Sequence, residues 1–376
     1  MGTSVIPVLP VELITEILLK LRPKPLFRFK CVSKSWLQLI SSPYFVKTHM
    51  KLAANDKAFS SHRVIFEHFK SKFKVCCLPS LFQKGTRAQV FDIDSPVKKT
   101  PRWIVGSANG LICFLIDFKE AFIWNPTIRK SKKLRKLDVQ MTPRTSYYRH
   151  GFGYDELHDD YKVVIICGTS DDGGSFGTVV NIYSLRTDSW TRVYNFPGYY
   201  MRDYLGKCVN GKIYWASTAD VDALNVCNLI TLDLTDETWG KLELPNYGEA
   251  NSRLMLGGVG SDLALVCICP EGTTSDVWMM KDCGVNASWT KMFTIKYPQY
   301  IGEYMFTSSI FSFSTHFCQP NNGEILLLLP PTIMIYNPKD GSTRKLEVTG
   351  LRGCQHAEIC VETLVDPNEL SHNGGI

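Results

Sequence analysis

Three copies of one short phrase recur along the chain: Trp190-Thr191-Arg192-Val193, Trp239-Gly240-Lys241-Leu242 and Trp289-Thr290-Lys291-Met292. Two weaker copies flank them, Ser131-Lys132-Lys133-Leu134 and Thr343-Arg344-Lys345-Leu346. A repeat of roughly 50 residues, built of short apolar strands, is typical of a β-propeller. One four-stranded blade cannot bury both of its faces alone, so blades must stack in a ring.

Strand and turn signals between these phrases indicate five full blades. They lie near 103–137, 150–195, 205–244, 254–295 and 312–348, with Asn-Gly hairpin turns at 109–110, 210–211 and 322–323. Strand-like segments are left over at 63–91 and at 357–365. Their pairing would complete a further blade and remove the open edges of the sheet. We therefore predict six blades, with five or seven as alternatives, and expect the repeat tryptophans to pack between neighbouring blades.

Residues 9–52 have a different pattern, which predicts a small helical head. Leu13, Ile14, Ile17, Leu18 and Leu21 form an apolar stripe with helical spacing. Further helices are expected after the prolines at 23 and 25, after a serine cap at 33, and after the Ser-Pro pair at 42–43. A head of this size carries more large apolar side chains than it can bury, which suggests a surface that another protein covers. The simpler alternative is a helical cap on the propeller.

Composition narrows the class of protein. The chain has 376 residues, a formal charge of +6 and 44% hydrophobic residues, as expected of an ordinary globular protein of two units. Its 13 cysteines form no Cys-x-x-Cys pair, so we expect reduced, buried thiols in the cytoplasm or nucleus and no zinc site. We expect no export signal and no membrane-spanning segment.

Three short motifs could carry chemistry, and each has a simpler interpretation. Residues 173–177 fit Gly-x-Ser-x-Gly, but they lack the strand-turn-helix context of a nucleophile elbow. The acidic cluster with His158 at 155–160 could bind a metal, but a polar turn is expected there. The basic run 129–136 could be a nuclear signal or bind an acidic partner, but a charged blade edge is expected.

The head resembles a plant F-box. The similarity lies in Val8 to Leu21 (VLPVELITEILLKL) and Leu26 to Trp36 (LFRFKCVSKSW), with one departure at Arg22-Pro23, where the family usually has proline directly after the leucine. The resemblance implies docking on a Skp-type adaptor and, through it, on the cullin and RING subunits of a ubiquitin ligase. By this analogy the interface, or the layer directly behind it, contains Leu9, Pro10, Ile14, Ile17, Leu18, Leu26, Val32 and Trp36.

The remainder resembles the plant F-box-associated (kelch-like) domain. The residues that carry this similarity are 106–113 (GSANGLIC), 123–130 (IWNPTIRK), 151–155 (GFGYD), 160–164 (DYKVV) and 361–365 (VETLV). We therefore expect an α+β multidomain chain, with an all-α F-box at residues 1–55 and an all-β propeller at 56–376. The resemblance implies a substrate-recognition subunit of a Skp–cullin–F-box ligase, with no catalytic residue, cofactor or metal of its own and no nucleic-acid or membrane partner.

Other functions remain open at this stage. One is a propeller enzyme with a helical cap, which would need acid, base or metal-binding residues near the central channel. Another is a protein-interaction scaffold outside any ligase. A chromatin or nucleic-acid binder has little support from a pI of 8.6 and scattered charge.

Loop lengths predict where a protein substrate binds. If the strands of a blade are lettered A to D from the centre outward, the A–B and C–D turns share one face and the B–C and D–A connections share the other. The long segments, 138–149, 168–178, 196–204, 217–228, 245–253 and 296–307, all fall on the second face. They are rich in tyrosine, which is favoured in recognition surfaces, although some of these rings could pin their own loops instead. We expect the substrate to contact Tyr147, Tyr148, Tyr199, Tyr200, Tyr204, Tyr297, Tyr300 and Tyr304, with Tyr247 nearby.

Overall fold

The computed structural model describes residues 9–68, 72–83, 85, 87–97, 102–116, 120–137, 145–170, 176–194, 196–198, 200–202, 204–218, 226–247, 253–259, 262–269, 273–280, 289–297, 315–318, 323–329, 332–351 and 354–370. The head contains α1 (Val11–Leu19), α2 (Pro23–Phe29), α3 (Lys34–Ser41) and α4 (Pro43–Ala54). None of the described helices is long and apolar enough to cross a bilayer.

Local sequence signals set the ends of these helices. The hydroxyl oxygen of Ser33 accepts the Trp36 N–H at 3.2 Å, and that of Ser42 accepts the Phe45 N–H at 3.2 Å, so both serines are N-caps. Pro23 and Pro43 occupy the first turns of α2 and α4, where a missing N–H costs nothing. The four-helix order predicted from the sequence is confirmed.

The rest of the chain is a propeller of six blades. The blades, each written from the centre outward, contain the following strands. Blade 1 is β27 (Cys354–Val361), β1 (His62–His68), β2 (Lys72–Cys77) and β4 (Phe91–Ile93). Blade 2 is β5 (Arg102–Ala108), β6 (Leu111–Ile116), β7 (Glu120–Asn125) and β8 (Lys130–Lys133). Blade 3 is β9 (Thr145–Asp155), β10 (Asp160–Ser170), β11 (Phe176–Ser184) and β12 (Ser189–Val193).

The remaining blades follow the same order along the chain. Blade 4 is β13 (Tyr200–Met201) with β14 (Lys207–Val209), then β15 (Lys212–Thr218), β16 (Val226–Asp233) and β17 (Trp239–Glu243). Blade 5 is β18 (Arg253–Val259), β19 (Asp262–Ile268), β20 (Thr274–Met280) and β21 (Trp289–Lys296). Blade 6 is β22 (Thr315–Cys318), β23 (Ile325–Leu329), β24 (Thr332–Asn337) and β25 (Ser342–Lys345). Helix α5 (Leu78–Phe82) follows β2, and β3 (Ala88–Gln89) pairs in parallel with β26 (Val348–Thr349).

The ring is closed by the two ends of the propeller sequence. Strand β27 pairs antiparallel with β1, so that Val361 lies opposite His62 and Ala357 opposite Phe66. The predicted pairing of the leftover segments, and with it the six-blade ring, is confirmed. The Asn-Gly turns at 109–110 and 210–211 have positive φ at both positions, as a hairpin turn of type I′ requires.

Neighbouring inner strands approach closely enough to hydrogen-bond. The His150 N–H donates to the Tyr204 carbonyl at 2.9 Å, and the Gly206 N–H donates to the His150 carbonyl at 2.7 Å. Strands β18 and β22 pair in parallel between blades 5 and 6. The missing side chain of Gly153 in blade 3 permits this approach, because a Cβ there would lie 2.4 Å from Cys208 Sγ in blade 4. Small residues on the inner strands therefore let the blades meet at the centre.

The repeat tryptophans connect the outer strands of adjacent blades, as predicted. Trp190 in blade 3 donates its indole N–H to the carbonyl of Arg135 at 2.7 Å, just beyond the last strand of blade 2. Trp289 in blade 5 donates to the carbonyl of Glu243 in blade 4 at 3.0 Å. Trp239 instead meets the ring of Phe196 edge-on, with centroids 5.1 Å apart. All three are half-buried, so they stabilise the contacts between blades at the outer edge of the ring rather than fill the core.

The basic run 129–136 is part of one of these rim contacts. The Asp188 carboxylate in blade 3 accepts from Lys132 Nζ at 2.7 Å and from Arg135 Nε at 2.8 Å. Lys133 pairs with Glu120 at 3.0 Å within blade 2. These contacts are those of a charged blade edge that takes part in stacking, which is the interpretation favoured above.

The two faces of the ring differ in the length of their connections. The predicted C–D turns are present between β11 and β12, β16 and β17, and β24 and β25. We call the face with the A–B and C–D turns the short-turn face and the opposite one the long-loop face. In blade 3 the predicted loops, 138–149 and 168–178, overlap with strands of the structure, because β9 begins at Thr145 and β10 continues to Ser170.

Buried thiols contribute to the core. Ten cysteines whose side chains the structure describes are free, and six of these are buried. Burial raises the pKa of Cys76, Cys167 and Cys354 to about 12, so these thiols stay protonated at neutral pH. A protonated buried cysteine packs as a small apolar side chain.

The Asp188 contact gives a pH-dependent prediction. Burial opposes ionisation of this carboxyl, but hydrogen bonds from Lys132, Tyr183 and Arg135 outweigh burial and lower its pKa. A carboxyl with a lowered folded-state pKa stabilises the fold above its unfolded pKa, about 3.9, and loses that contribution as the pH falls below it. Asp188→Asn should therefore cost about 2 kcal/mol at pH 7 and progressively less below about pH 4.

Urea unfolding of wild type and variant across this pH range checks the prediction. Asp94→Asn is the control, because Asp94 is 92% exposed and its ion pair with Arg129 is 3.9 Å long. An equal cost of Asp188→Asn at pH 7 and in acid would show that the charge is not the source of the stability.

Candidate functional site

The eight head residues predicted from the F-box resemblance divide into a surface and its support. Leu9, Pro10, Ile17 and Val32 are exposed, with Ile17 at 54% and Val32 at 60%. Two are half-buried, Ile14 and Trp36, and two are fully buried, Leu18 and Leu26. The buried pair lies in the core of the head and holds the helices that present the exposed side chains.

On α1 to α3, sequence reasoning left four more exposed apolar side chains out of this set. They are Val11, Leu13, Phe27 and Leu37. On α1, Leu13 and Ile17 are one turn apart and lie beside Ile14 and Leu18, so one broad stripe faces partly inward and partly outward. The helical period predicts the stripe, but which part is covered depends on tertiary contacts. Uncovered apolar side chains at this density mark a protein-binding surface.

The support beneath this surface is well packed. The rings of Phe29 and Trp36 meet edge-on with centroids 5.5 Å apart, joining α2 to α3. His49 of α4 contacts the carbonyl of Leu21 through Nε2 at 2.7 Å, and burial lowers its pKa, which keeps the ring neutral. These contacts hold the helices that carry the exposed apolar side chains in fixed positions relative to one another.

The head lies against the short-turn face of the propeller. Lys51 pairs with Glu156 at 2.8 Å and Lys47 with Asp159 at 3.1 Å, both at the A–B turn of blade 3. Met50 is buried in the same core cluster as Tyr161 of blade 3. The long-loop face is thus on the opposite side of the ring from the head, which leaves it accessible when the head is occupied.

The structure brings some of the predicted tyrosines together at the start of the inner strands. Tyr148 and Tyr200 are half-buried, and Tyr204 is 38% exposed. Arg149 lies over the ring of Tyr204, 4.5 Å from its centroid, and donates to the carbonyl of Met201 at 2.8 Å. These groups belong to blades 3 and 4 on the long-loop side, where β9 and β13 begin.

Other predicted tyrosines have different outcomes. Tyr297 is only 8% exposed and packs in the core of blades 5 and 6, so the expectation that it lies on a recognition surface is wrong. Its burial raises its pKa to about 12. Tyr247 is half-buried against the core of blades 4 and 5. Three of the remaining positions lie outside the described residues: Tyr199, Tyr300 and Tyr304. For Tyr147 the structure describes the backbone only.

Among the described inner strands, that of blade 3 is the longest. This strand continues for 11 residues from the A–B turn, against 7 in blade 2. The difference corresponds to about 13 Å at the rise of an extended strand. The additional residues of this strand include Tyr148 and lie next to Arg149.

A polar cluster occupies the centre of the ring. The Ser107 hydroxyl of blade 2 donates to the Glu358 carboxylate of blade 1 at 2.9 Å, and Lys207 Nζ of blade 4 lies 4.0 Å from the same carboxylate. His356 Nε2 lies 3.5 Å from it. In a Ser-His-Asp triad the serine hydroxyl is hydrogen-bonded to the histidine, which acts as its base. The Ser107 hydroxyl is instead hydrogen-bonded to the Glu358 carboxylate and the Ile359 carbonyl. The arrangement ties three inner strands together and is not that of a catalytic triad.

The acidic motif of blade 3 is used for turns. The Asp155 carboxylate accepts the N–H groups of Leu157 and His158 at 3.1 and 3.2 Å, and Asp160 accepts that of Arg186 at 2.8 Å. Within the described ranges no group of three or more His, Cys, Asp or Glu could hold a metal ion. The Gly-x-Ser-x-Gly motif, apart from its last two residues, lies outside the described residues.

Comparisons with known proteins agree with this division of the chain. Residues 58–367 match the F-box associated beta propeller domain, and residues 6–48 match the F-box domain. F-box/kelch-repeat protein At3g23880 of Arabidopsis thaliana is 31% identical, covering 96% of each chain. F-box protein CPR1 of the same plant is 25% identical, covering 95% of this chain and 88% of its own. An oligogalacturonate lyase in complex with manganese gives a TM-score of 0.43 at 9% identity, with 77% of this chain and 79% of the lyase covered, which supports no functional argument.

Proposed function

The chain belongs to the family of F-box proteins with an F-box-associated β-propeller domain, and on that premise we propose that it is the substrate-recognition subunit of a Skp–cullin–F-box ubiquitin ligase. In this role residues 1–55 dock on a Skp-type adaptor, which connects to cullin and RING subunits. Residues 56–376 select a protein for ubiquitination. The observation that carries the proposal is the uncovered apolar surface of the head, which lies on the side of the molecule opposite the long-loop face.

The adaptor site rests on the exposed apolar side chains of α1 to α3. Ile17 and Val32 are each more than half exposed, while Leu18 and Leu26 beneath them are fully buried. A stable monomer gains nothing from keeping so many large apolar side chains in water, whereas a partner that covers them gains about 25 cal/mol per Å² of buried apolar surface. An apolar partner surface of matching shape is therefore the expected occupant.

We propose that the chain carries out no chemistry of its own. Its contribution is proximity, because holding a target beside the conjugating enzyme raises the effective concentration of its lysines. A propeller enzyme is the alternative, and the hydrogen bonds of Ser107 and Glu358 give it no support. A scaffold outside any ligase would share the same surfaces but would not bind a Skp-type adaptor.

The substrate site is proposed on the long-loop face of blades 3 and 4, where β9 and β13 begin. Tyr148, Tyr200 and Tyr204 are the described side chains expected to take part, together with Tyr147, Tyr199, Tyr300 and Tyr304. We further propose a kelch-like propeller, a term that also appears in the name of one relative. The free thiols support a reducing compartment, the cytoplasm or the nucleus.

Adaptor binding is tested by comparing substitutions of exposed residues of the head with a substitution in its buried core. Ile17→Glu with Val32→Glu should weaken binding of a purified Skp-type adaptor at least tenfold, because two charges would be buried in an apolar interface. The melting temperature should stay unchanged, since both side chains are exposed. Leu18→Ala should instead lower stability by about 2–5 kcal/mol.

Leu157→Glu is the matched control, because Leu157 is 75% exposed on a propeller turn outside the proposed interface. Calorimetric titration and thermal unfolding give the two quantities. Full adaptor affinity of the Ile17/Val32 variant would contradict the docking site.

The substrate face is tested in cells treated with a proteasome inhibitor. Replacing Tyr200 and Tyr204 with Ala, together with the loop tyrosines Tyr199 and Tyr300, should lose the co-purifying substrate while adaptor capture continues. Tyr204 is more exposed than Tyr148 and Tyr200, and its loss removes the stacking partner of Arg149. Quantitative mass spectrometry compares this variant with wild type and with Leu157→Ala. The same proteins captured by all three chains would place the substrate site elsewhere.

A further inference from the structure

The chain beyond the closing strand runs between the head and the propeller. Residues 362–370, which we call the C-terminal clamp, follow β27 on the short-turn face. Their backbone and side chains contact the head on one side and blades 1, 2 and 3 on the other. The sequence pattern of these residues predicted only a last strand, so their contacts with the head are new.

The clamp completes the core of the head. Leu364 is 6% exposed and packs in one cluster with Leu18, Leu26, Ile40 and Phe45. The Glu362 carboxylate accepts from Arg22 Nε at 3.1 Å and from Arg22 Nη2 at 2.8 Å. Arg22 is the residue at which the head departs from the usual F-box pattern. A head of about 40 residues is near the lower limit for independent folding, so a distant residue in its core matters for its stability.

The clamp is also fixed to the propeller. Glu362 pairs with Arg63 of blade 1 at 3.0 Å, and its N–H donates to the Ser61 carbonyl at 2.8 Å. Asn125 of blade 2, which is fully buried, donates through Nδ2 to the Thr363 hydroxyl at 3.2 Å and to the Val365 carbonyl at 2.8 Å.

The turn beside the clamp is shaped to receive it. A Cβ at Gly110 would lie 2.2 Å from the Thr363 hydroxyl, so only glycine fits there. The Thr363 hydroxyl in turn donates to the Asn109 carbonyl at 3.3 Å. Val365 is 5% exposed in the core shared by blades 2 and 3. Glu362, Thr363 and Val365 are therefore held on the propeller by hydrogen bonds or buried contacts, whereas Leu364 between them packs in the head.

From these contacts we propose that the C-terminal clamp, through Glu362 and Leu364, sets the orientation of the adaptor-binding head relative to the long-loop face. Glu362 joins Arg22 of the head to Arg63 of the propeller through one carboxylate, and Leu364 belongs to the head core although its neighbour Val365 belongs to the propeller core. The two are positioning residues. This inference rests on the proposed ligase function, in which a fixed geometry decides which target lysines reach the conjugating enzyme.

The orientation is measured directly by a distance between the two units. Unnatural amino acids that carry spectroscopic labels are placed at Tyr44 on α4, outside the proposed adaptor surface, and at Lys339 on the exposed turn of blade 6, which leaves the native cysteines unlabelled. The full chain should give one narrow distance distribution, with or without a Skp-type adaptor. Arg22→Ala combined with Leu364→Ala should broaden that distribution, while Lys20→Ala combined with Leu157→Ala, two exposed positions on the same units, should leave it narrow.

A folding defect is kept apart from a change of orientation by two further measurements. The single variant Arg22→Ala leaves the apolar core of the head intact, and it should broaden the distribution while adaptor affinity stays at the wild-type value. In a ligase reconstituted with this variant, the set of lysines modified on the chain itself should change, although binding does not. If Arg22 only stabilised the fold of the head, Arg22→Ala would lower the adaptor affinity and the melting temperature together.

The outcomes separate the two proposals. A narrow distribution in both clamp variants would overturn the positioning role, whatever the adaptor does. Absence of adaptor binding by the wild-type chain would overturn the proposed function, and the distance distribution would still report whether the clamp holds the head.

Discussion

The pairing of β27 with β1 is the contact on which the rest of the structure depends. This ladder joins residues from the two ends of the propeller sequence, from His62 opposite Val361 to His68 opposite Cys354. It converts an open stack of blades into a closed ring, in which only the short outer strands of the blades remain as edges. It also brings the chain that follows β27 back to the place where the head joins β1. The contacts of Glu362 with Arg22 and Arg63 exist only because the ring closes at that point.

Stacking of the blades is achieved in different ways at the centre and at the rim. At the centre, glycines on the inner strands allow backbone hydrogen bonds between neighbours, such as that from Gly206 to His150. At the rim, half-buried tryptophans bridge to the preceding blade, and at Asp188 a carboxylate adds ionic contacts with Lys132 and Arg135. The repeated phrase in the sequence therefore forms the outer part of these junctions, and glycines of the inner strands belong to the inner part.

Local features of this chain could be predicted from the sequence, and contacts between distant residues could not. The Asn-Gly turns at 109–110 and 210–211, the Ser33 cap and the strand-turn-strand repeat each depend on a few neighbouring residues, and these were found as expected. The third predicted turn includes Asn322, which lies outside the described residues. The burial of Tyr297 was missed because composition alone does not distinguish a loop residue that faces solvent from one that packs on the next blade. The role of Leu364 was missed because its partners lie more than 300 residues earlier in the chain. The helical stripe of the head was predicted, but its division into a covered and an uncovered half follows from those same distant contacts.

In the proposed function the molecule is a rigid connection between two surfaces, an apolar one on the head and a tyrosine-containing one across the ring. Its central claim is that the adaptor covers only the first. Hydrogen–deuterium exchange of the full chain, measured with and without a Skp-type adaptor, tests this most directly. We expect new protection in α1, α2 and α3 and unchanged exchange where β9, β13 and their neighbouring loops begin. Protection of those inner strand starts by the adaptor, or an unchanged head, would contradict the account.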